Sequence, residues 1–521
     1  MFQHKNTHKK ITIRVVYQVI IPFLWMRDVQ SMLLAGFFGN KNIFQLYSQC
    51  TCFNVNFENL TEKEYSVMQK VLNSIPKLLF MNICCIEKEF VVKKDSSLKE
   101  LRVYHCKIDS RSFDHCDRLE KLTIKGSPDL CDHIEMTHQL SQLKISDSRF
   151  GVAFVLKLSQ LSLASLTIKN QKYNRHGKSI VEEIGKMSTL KRLNLKENYF
   201  EFQEKFELCH SLSKLNLISL NIQGCLLDCK HCELLFDSIR HMTALEKLGI
   251  SKNYVMVESQ KKLATFFRTL TRLKCLDMHD VSHMSYSQDG LCKDLLESMS
   301  CLTRLQSLSI GKNLFSSVDA LSNSIRNMNL CVFEMYDSRL DAPSMIALCR
   351  GLRKSRLKIL LLGGNDFGNV GMHHILENVQ CAHLEKLDLQ QCDMSDESDF
   401  ADFVRASSNL RELVIGNRFE SCKKILDSVC TLSLLEKLFF TEFDKEPFAR
   451  HLRIASRRLK WIEVHDFRMS EDDLDQMVLH LNQFKIERIA LPITHSRELE
   501  KWKCRRPKLC IEEITMFRNG V

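Results

Sequence analysis

Residues 384–394 read LEKLDLQQCDM, and residues 190–200 read LKRLNLKENYF. Both place leucines at the first and fourth positions, an apolar residue at the sixth, Asn or Cys at the ninth and an apolar residue at the eleventh. The same pattern returns as LKELRVYHCKI from Leu98, LISLNIQGCLL from Leu217, LEKLGISKNYV from Leu245, LQSLSIGKNLF from Leu305 and LKILLLGGNDF from Leu357. Weaker copies begin at Leu119, Leu140, Leu163, Leu273, Leu330, Leu410, Leu435, Leu459 and Ile486, with fainter ones at Ile75 and Ile43. Starts recur every 21 to 32 residues, most often every 24 to 28. A period of that length means a stack of identical structural units rather than several independent domains.

Physical chemistry gives each slot a task. The L-x-L centre is a short strand whose alternate side chains point inward, and the Asn or Cys that follows satisfies backbone groups where the chain leaves the strand. One unit cannot bury its own leucines, but a stack buries them in a continuous core. Between strands the spacing becomes helical, as in HCELLFDSIRHMTAL (231–245), where Leu234, Leu235, Ile239, Met242 and Leu245 are expected on one face. The expected fold is an α/β leucine-rich-repeat solenoid of about 16 to 18 repeats: a curved horseshoe with a parallel inner sheet and outer helices. Residues 1–42 are expected to form an irregular or helical segment, and residues 43–521 the repeat domain with its capping repeats.

Composition agrees with a folded chain. Apolar residues make up 44% and charged residues 26%, which excludes a disordered polymer, and only 17 Gly and 7 Pro argue against a tight-turn β protein. No apolar run reaches the 18 residues of a spanning helix. The basic, apolar N-terminus lacks a convincing cleavage site. The 22 cysteines are irregularly spaced and are expected to be reduced thiols in a cytoplasmic protein. The sequon Asn59-Leu60-Thr61 is compatible with chance.

Three candidate chemistries fail on spacing. Gly177-Lys178-Ser179 suggests a phosphate loop, but Lys172 stands where its first glycine is needed, and Leu166 and Ile168 before it belong to a repeat strand. Cys225, Cys229, His231 and Cys232 are dense enough for zinc, yet Cys225 fills a repeat slot and the others begin a helix with diverging directions. Cys50, Cys52, Cys84 and Cys85 lack spaced partners, and histidines such as His279, His283, His373 and His374 define no catalytic set. No enzyme activity, metal or cofactor is expected.

The register then identifies a surface. Residues between the inward leucines face the concave side, and in the first half they include Arg102, Lys121, Lys125, Lys144, Lys169, Arg192, Lys196 and Lys247 against one acid, Glu100. The second half differs: Asp277, Glu334, Asp388, Glu412 and Glu463 stand against Lys386, Lys437 and Arg488, with Tyr336, Phe439 and Trp461 among them. The net charge of +11 thus acquires a location. A basic wall favours an acidic protein partner, while the scarcity of aromatics among its bases, only Tyr104, disfavours nucleic acid. Acids and aromatics on a rigid sheet suit a protein hot spot.

Repeats of this length with an outer helix resemble the ribonuclease-inhibitor-like class. LEKLGISKNYV and LEKLDLQQCDM, with the preceding HMTAL and KMSTL, look like the C-terminal sensor arrays of animal NOD-like receptors. That resemblance implies a non-catalytic, ligand-sensing or autoinhibitory array of an innate immune protein, here without the NACHT domain that precedes such arrays. Substrate-binding adaptors of ubiquitin ligases of the F-box type, and ribonuclease-inhibitor-like binders, are the alternatives. IPFLWMRDVQSML (21–33) is only a poor echo of an F-box, and this chain is basic where ribonuclease inhibitors are acidic.

Overall fold

A computed structural model describes residues 52–56, 80–84, 98–106, 116, 118–127, 139–148, 151–170, 177–282, 290–416, 419, 423–441, 458–465, 488–492 and 510–514. Contacts divide the chain into two compact units, Met1–Leu227 and Asp228–Val521. The expected N-terminal segment 1–42, the sequon at Asn59 and the repeat starts at Ile43, Ile75 and Ile486 lie outside the described residues, as does His283.

Among its described residues the first unit carries eight strands: β1 (Cys52–Asn56), β2 (Phe80–Cys84), β3 (Glu100–Tyr104), β4 (Lys121–Lys125), β5 (Gln142–Ser146), β6 (Ser165–Lys169), β7 (Arg192–Asn194) and β8 (Ser219–Asn221). Each pairs in parallel with the next, and like slots align: Leu101 faces Leu122, which faces Leu143, then Leu166, Leu193 and Leu220. Parallel neighbours need a crossover. Among the described residues, helices α1 (Val152–Lys157), α2 (Gly177–Gly185) and α3 (Phe202–Leu212) supply it.

The second unit repeats the scheme with β9 (Lys247–Gly249), β10 (Cys275–Asp277), β11 (Ser307–Ser309), β12 (Val332–Glu334), β13 (Ile359–Leu361), β14 (Lys386–Asp388), β15 (Glu412–Ile415), β16 (Lys437–Thr441), β17 (Trp461–His465), β18 (Arg488–Pro492) and β19 (Cys510–Ile514). These again pair in sequence order and in parallel. Its described helices are α4 (Cys229–Ile239), α5 (Val257–Phe267), α6 (Lys293–Ser298), α7 (Val318–Ile325), α8 (Ala342–Leu352), α9 (Gly368–Asn378), α10 (Ser398–Ala406) and α11 (Lys423–Val429). Strand alternating with helix on a parallel sheet is the α/β leucine-rich-repeat solenoid that the sequence pattern demands.

The core is the row of pattern leucines. Leu98, Leu190, Leu217, Leu245, Leu305, Leu357 and Leu384 are fully buried, together with their fourth- and sixth-slot partners. Helix α4 corrects the expected apolar face in one place. Leu235, Ile239, Met242 and Leu245 are buried, but Leu234 is 37% exposed, and Cys232 and Phe236 take the inner positions. The helix begins at Cys229, so a 3.6-residue repeat from there carries Leu234 past the edge of the buried stripe.

The ninth slot forms a polar ladder. Asn313 Nδ2 donates to the carbonyls of Met278 and Ile310, and its Oδ1 accepts from the backbone N–H groups of Val281 and Ser282. Asn365 does the same between Met335, Leu362 and the N–H groups of Ser338 and Leu340. Cys225 and Cys392 send their thiols to Leu195 O and Leu362 O. One repeat's side chain thus satisfies the preceding repeat's turn, which suits the slot to side chains that donate a short hydrogen bond, such as Asn, Ser or Cys. The residue just before it turns left-handed throughout: His105, Asp147, Glu197, Lys252, Lys312 and Asp337 all have φ between 49° and 60°. Glycine fills the same slot at Gly126, Gly224 and Gly364.

Candidate recognition faces

On β3 to β8 and on β12 to β17 the inward apolar residues leave the alternate described side chains on the other, open face of the sheet. In the first unit Leu101 and Val103 are buried while Arg102 is exposed, and β4 and β5 repeat the alternation. Arg102, Lys121, Lys125, Lys144 and Arg192 are exposed, and Lys169 and Lys196 are half-buried. Seven of the eight expected bases therefore share one face of one unit. The eighth, Lys247, is exposed on β9 of the second unit.

Part of this charge is already balanced. Glu100 lies 2.7 Å from Arg102 and 3.8 Å from Lys121, and Glu197 lies 3.4 Å from Lys196. The Arg102 guanidinium also sits 5.0 Å over the Phe80 ring. Lys125, Lys144 and Arg192 form no described ion pair and carry the net positive charge of the wall. Adjacent strands stand about 4.8 Å apart, and Lys125 and Lys169 flank Ser146 on successive strands, so a ligand spanning β4 to β7 meets several cations.

The second unit's open face is different in kind. Phe439 and Trp461 lie on neighbouring strands with ring centroids 5.4 Å apart, and the Lys437 ammonium sits 5.3 Å over the indole. Glu412 ties Lys386 (2.5 Å) and Lys437 (3.4 Å) together. Tyr336 is not part of that cluster. It stands four strands away on the β12 repeat, 6.2 Å from His279, and its phenol is pushed up by burial and by Glu334 and Asp277. Burial opposes ionisation of Asp277, but hydrogen bonds from His279 and Ser251 outweigh it and hold that carboxyl below its usual range. Ser251 is fully buried and its hydroxyl donates to Asp277, and Gln223 is likewise buried.

Four open-face residues escaped the sequence argument: Val332, Ile359, Leu361 and Val414, all half-buried on strands where a polar residue is the rule. The signal was present in LKILLLGG (357–364), where aliphatics fill the slots between inward leucines. Asp388 lies between two of them, paired in register with Leu361 and Val414. Burial raises its carboxyl to about 6, despite the Gln390 N–H that donates to it at 3.1 Å and the charge of Lys386.

The rejected chemistries meet specific obstacles. Glu204 of α3 occupies the place a phosphate would take at Gly177: its Oε1 accepts from the Lys178 N–H at 3.0 Å, and a Cβ at Gly177 would collide with the same carboxylate. Its Oε2 accepts from the Glu201 N–H at 2.8 Å, so one carboxylate caps two successive helices. In the cysteine-rich stretch, Cys225 is pushed up to about 12 by burial, Cys229 points to Glu233 and Ser259, and His231 Nδ1 lies 2.7 Å from Asp228. Among the described residues no group of three His, Cys, Asp or Glu is arranged for a metal, and no helix is long and apolar enough to cross a membrane. Fifteen of the described cysteines form no disulfide.

The chain is a leucine-rich-repeat array. A curated relative is the ribonuclease inhibitor of Sus scrofa, 25% identical over 295 residues that cover 53% of this chain and 63% of that protein. The array thus spans somewhat less than two thirds of that relative's length. Solved structures that align with it include an internalin of Listeria monocytogenes (14% identity, TM-score 0.34, 77% of this chain and 89% of that one) and a leucine-rich-repeat protein of Leptospira interrogans (14%, 0.38, 86% and 98%). The complex of TLR13 with a single-stranded RNA aligns at 14% identity and TM-score 0.39 over 91% of this chain and 80% of that one. No family model matches the chain.

Proposed function

We propose that this chain is a non-catalytic protein-recognition scaffold, the ligand-sensing or autoinhibitory array of a cytoplasmic innate immune protein related to NOD-like receptors. The observation that carries the recognition role is the open sheet face of the first unit, where Arg102, Lys121, Lys125, Lys144, Lys169, Arg192 and Lys196 project from successive strands held rigid by a leucine core. A fixed array of cations with Glu100 and Glu197 as its only acidic ion-pair partners among the described residues selects an acidic protein surface. Binding of that kind weakens with salt, because exposed charges are screened beyond about 10 Å at 0.1 M.

The test compares proteins co-purified by the wild type and by Lys144→Glu/Lys169→Glu/Arg192→Glu at two salt concentrations. Loss of an acidic partner from the variant, and from the wild type at high salt, is the expected result. An unchanged set at both would return these residues to the role of solubilising charge. The immune assignment rests on the repeat motifs, and a NACHT reading frame joined to this one in the transcript is its test.

A second reading rests on the relative whose printed name is ribonuclease inhibitor. Basic ribonucleases would suit the acids of the second unit rather than the bases of the first. Inhibition of a pancreatic-type ribonuclease by the purified chain supports it, and full enzyme activity at micromolar chain removes it.

A further inference from the structure

On β3 to β8 the open-face side chains are charged or polar, with Tyr104 the one large ring. From β12 to β17 the same face carries Val332, Ile359, Leu361, Val414, Phe439 and Trp461, each half-buried. Register arranges them in two rows across the strands. One runs Val332, Ile359, Lys386, Glu412, Lys437, Trp461, and the other Glu334, Leu361, Asp388, Val414, Phe439, Glu463. Six strands at about 4.8 Å make a floor about 24 Å long, the span of roughly seven extended residues. Aliphatics turned outward on a sheet that is elsewhere polar mark an interaction surface rather than a solvated one.

The charges on this floor are unequal in their commitments. Lys386 and Lys437 both go to Glu412. Asp388 forms no described ion pair; its partner is the Gln390 N–H, and its carboxylate leans over Gly363, where an added Cβ would come within 2.8 Å of Oδ1. A floor half aliphatic and aromatic, with a carboxylate at its centre that forms no described ion pair, suits a cation delivered from outside with apolar neighbours.

We propose that the open face of β12 to β17 docks an extended segment of a partner protein that lays an Arg or Lys on Asp388 and apolar side chains on Leu361 to one side and on Val414 and Phe439 to the other. This rests on the open faces being recognition surfaces and names what the second unit's face accepts. The basic face of a second copy does not fit, because its strands β3 to β8 offer no aliphatic side chains to the floor. Nucleic acid does not fit either, since Glu334, Asp388 and Glu463 stand in one row and repel phosphate.

The experiment pans a phage-displayed random dodecapeptide library on the full chain and measures the winners, as synthetic peptides, by fluorescence anisotropy. The expected winners pair Arg or Lys with adjacent apolar residues. They lose at least about tenfold in affinity on Leu361→Asp and on Asp388→Asn, and they keep it on Lys144→Glu/Lys169→Glu/Arg192→Glu. Circular dichroism melts of the variants confirm folding, and Val414→Ser supplies a second floor variant should Leu361→Asp not fold. Acidic winners sensitive only to the lysine and arginine reversals would sink this inference while leaving the first unit's face standing. Winners insensitive to every variant would sink both, and a library that yields no binder to the floor counts against the docking site alone.

Discussion

Asp388→Asn should make the protein more stable at neutral pH, and the gain should vanish in acid. The native carboxyl titrates near 6 against an ordinary 3.8, because burial between Leu361 and Val414 penalises its charged form. A shift of that size corresponds to stability on the order of 3 kcal/mol, forgone when the group is ionised in both states. The sign follows from proton binding. Between pH 3.8 and about 6 the native state holds a proton that the unfolded chain has released, so stability falls as pH rises through that window. Asparagine keeps an acceptor for the Gln390 N–H and carries no charge. The variant's advantage should therefore be on the order of 3 kcal/mol at pH 7.5, roughly half that near pH 5, and negligible below pH 3.5. Urea denaturation followed by tryptophan fluorescence at several pH values measures it. An advantage that does not change between pH 4 and 7.5, or a variant less stable than the parent at pH 7.5, would show that this carboxylate is not held desolvated.

Other perturbations test the frame. Asn313→Ala removes the side chain that serves the Met278 and Ile310 carbonyls and two backbone N–H groups, and should cost roughly 3 kcal/mol in the same denaturation assay; a loss below about 0.5 kcal/mol would deny the ladder its role. Glu204→Ala uncaps α2 and α3 together and should cost about 1 kcal/mol, with faster amide exchange at Lys178 and Glu201, where unchanged exchange would argue against the shared cap. Cys225, Cys209 and Cys349, each pushed up to about 12 by burial, should resist maleimide at pH 8 until urea unfolds the chain, whereas rapid labelling would contradict their burial.

Much of the fold was legible because the repeat writes each contact many times. Leu190, Leu217 and Leu245 recur at a spacing that only a stacked array satisfies, and the alternation within L-x-L assigns a face to every residue between. That logic sets Lys144 and Arg192 between inward leucines, and both are exposed. It failed where side chains answer to neighbours in other repeats. Glu204 reads as one more helical acid, yet it caps a helix 26 residues back. Ser251, just past β9, is buried and donates its hydroxyl to Asp277 on the next strand. Ile359 and Leu361 were hidden by apolar neighbours, since in LKILLLGG inward and outward leucines look alike. The left-handed residue before each ladder position left only a partial trace, in Gly126, Gly224 and Gly364 and in Asp147 and Asp337, while His105, Glu197 and Lys312 share only a backbone shape.

The central claim is that recognition belongs to the open sheet faces and not to the helices. It is tested most directly by co-purification from the native cells with two sets of charge reversals, read by quantitative mass spectrometry. One set is Lys144→Glu/Lys169→Glu/Arg192→Glu on the sheet, the other Lys214→Glu/Lys230→Glu/Lys261→Glu at exposed positions off it. Partners should disappear with the first set and persist with the second. Persistence with the first and loss with the second would place binding on the helical side and contradict the account.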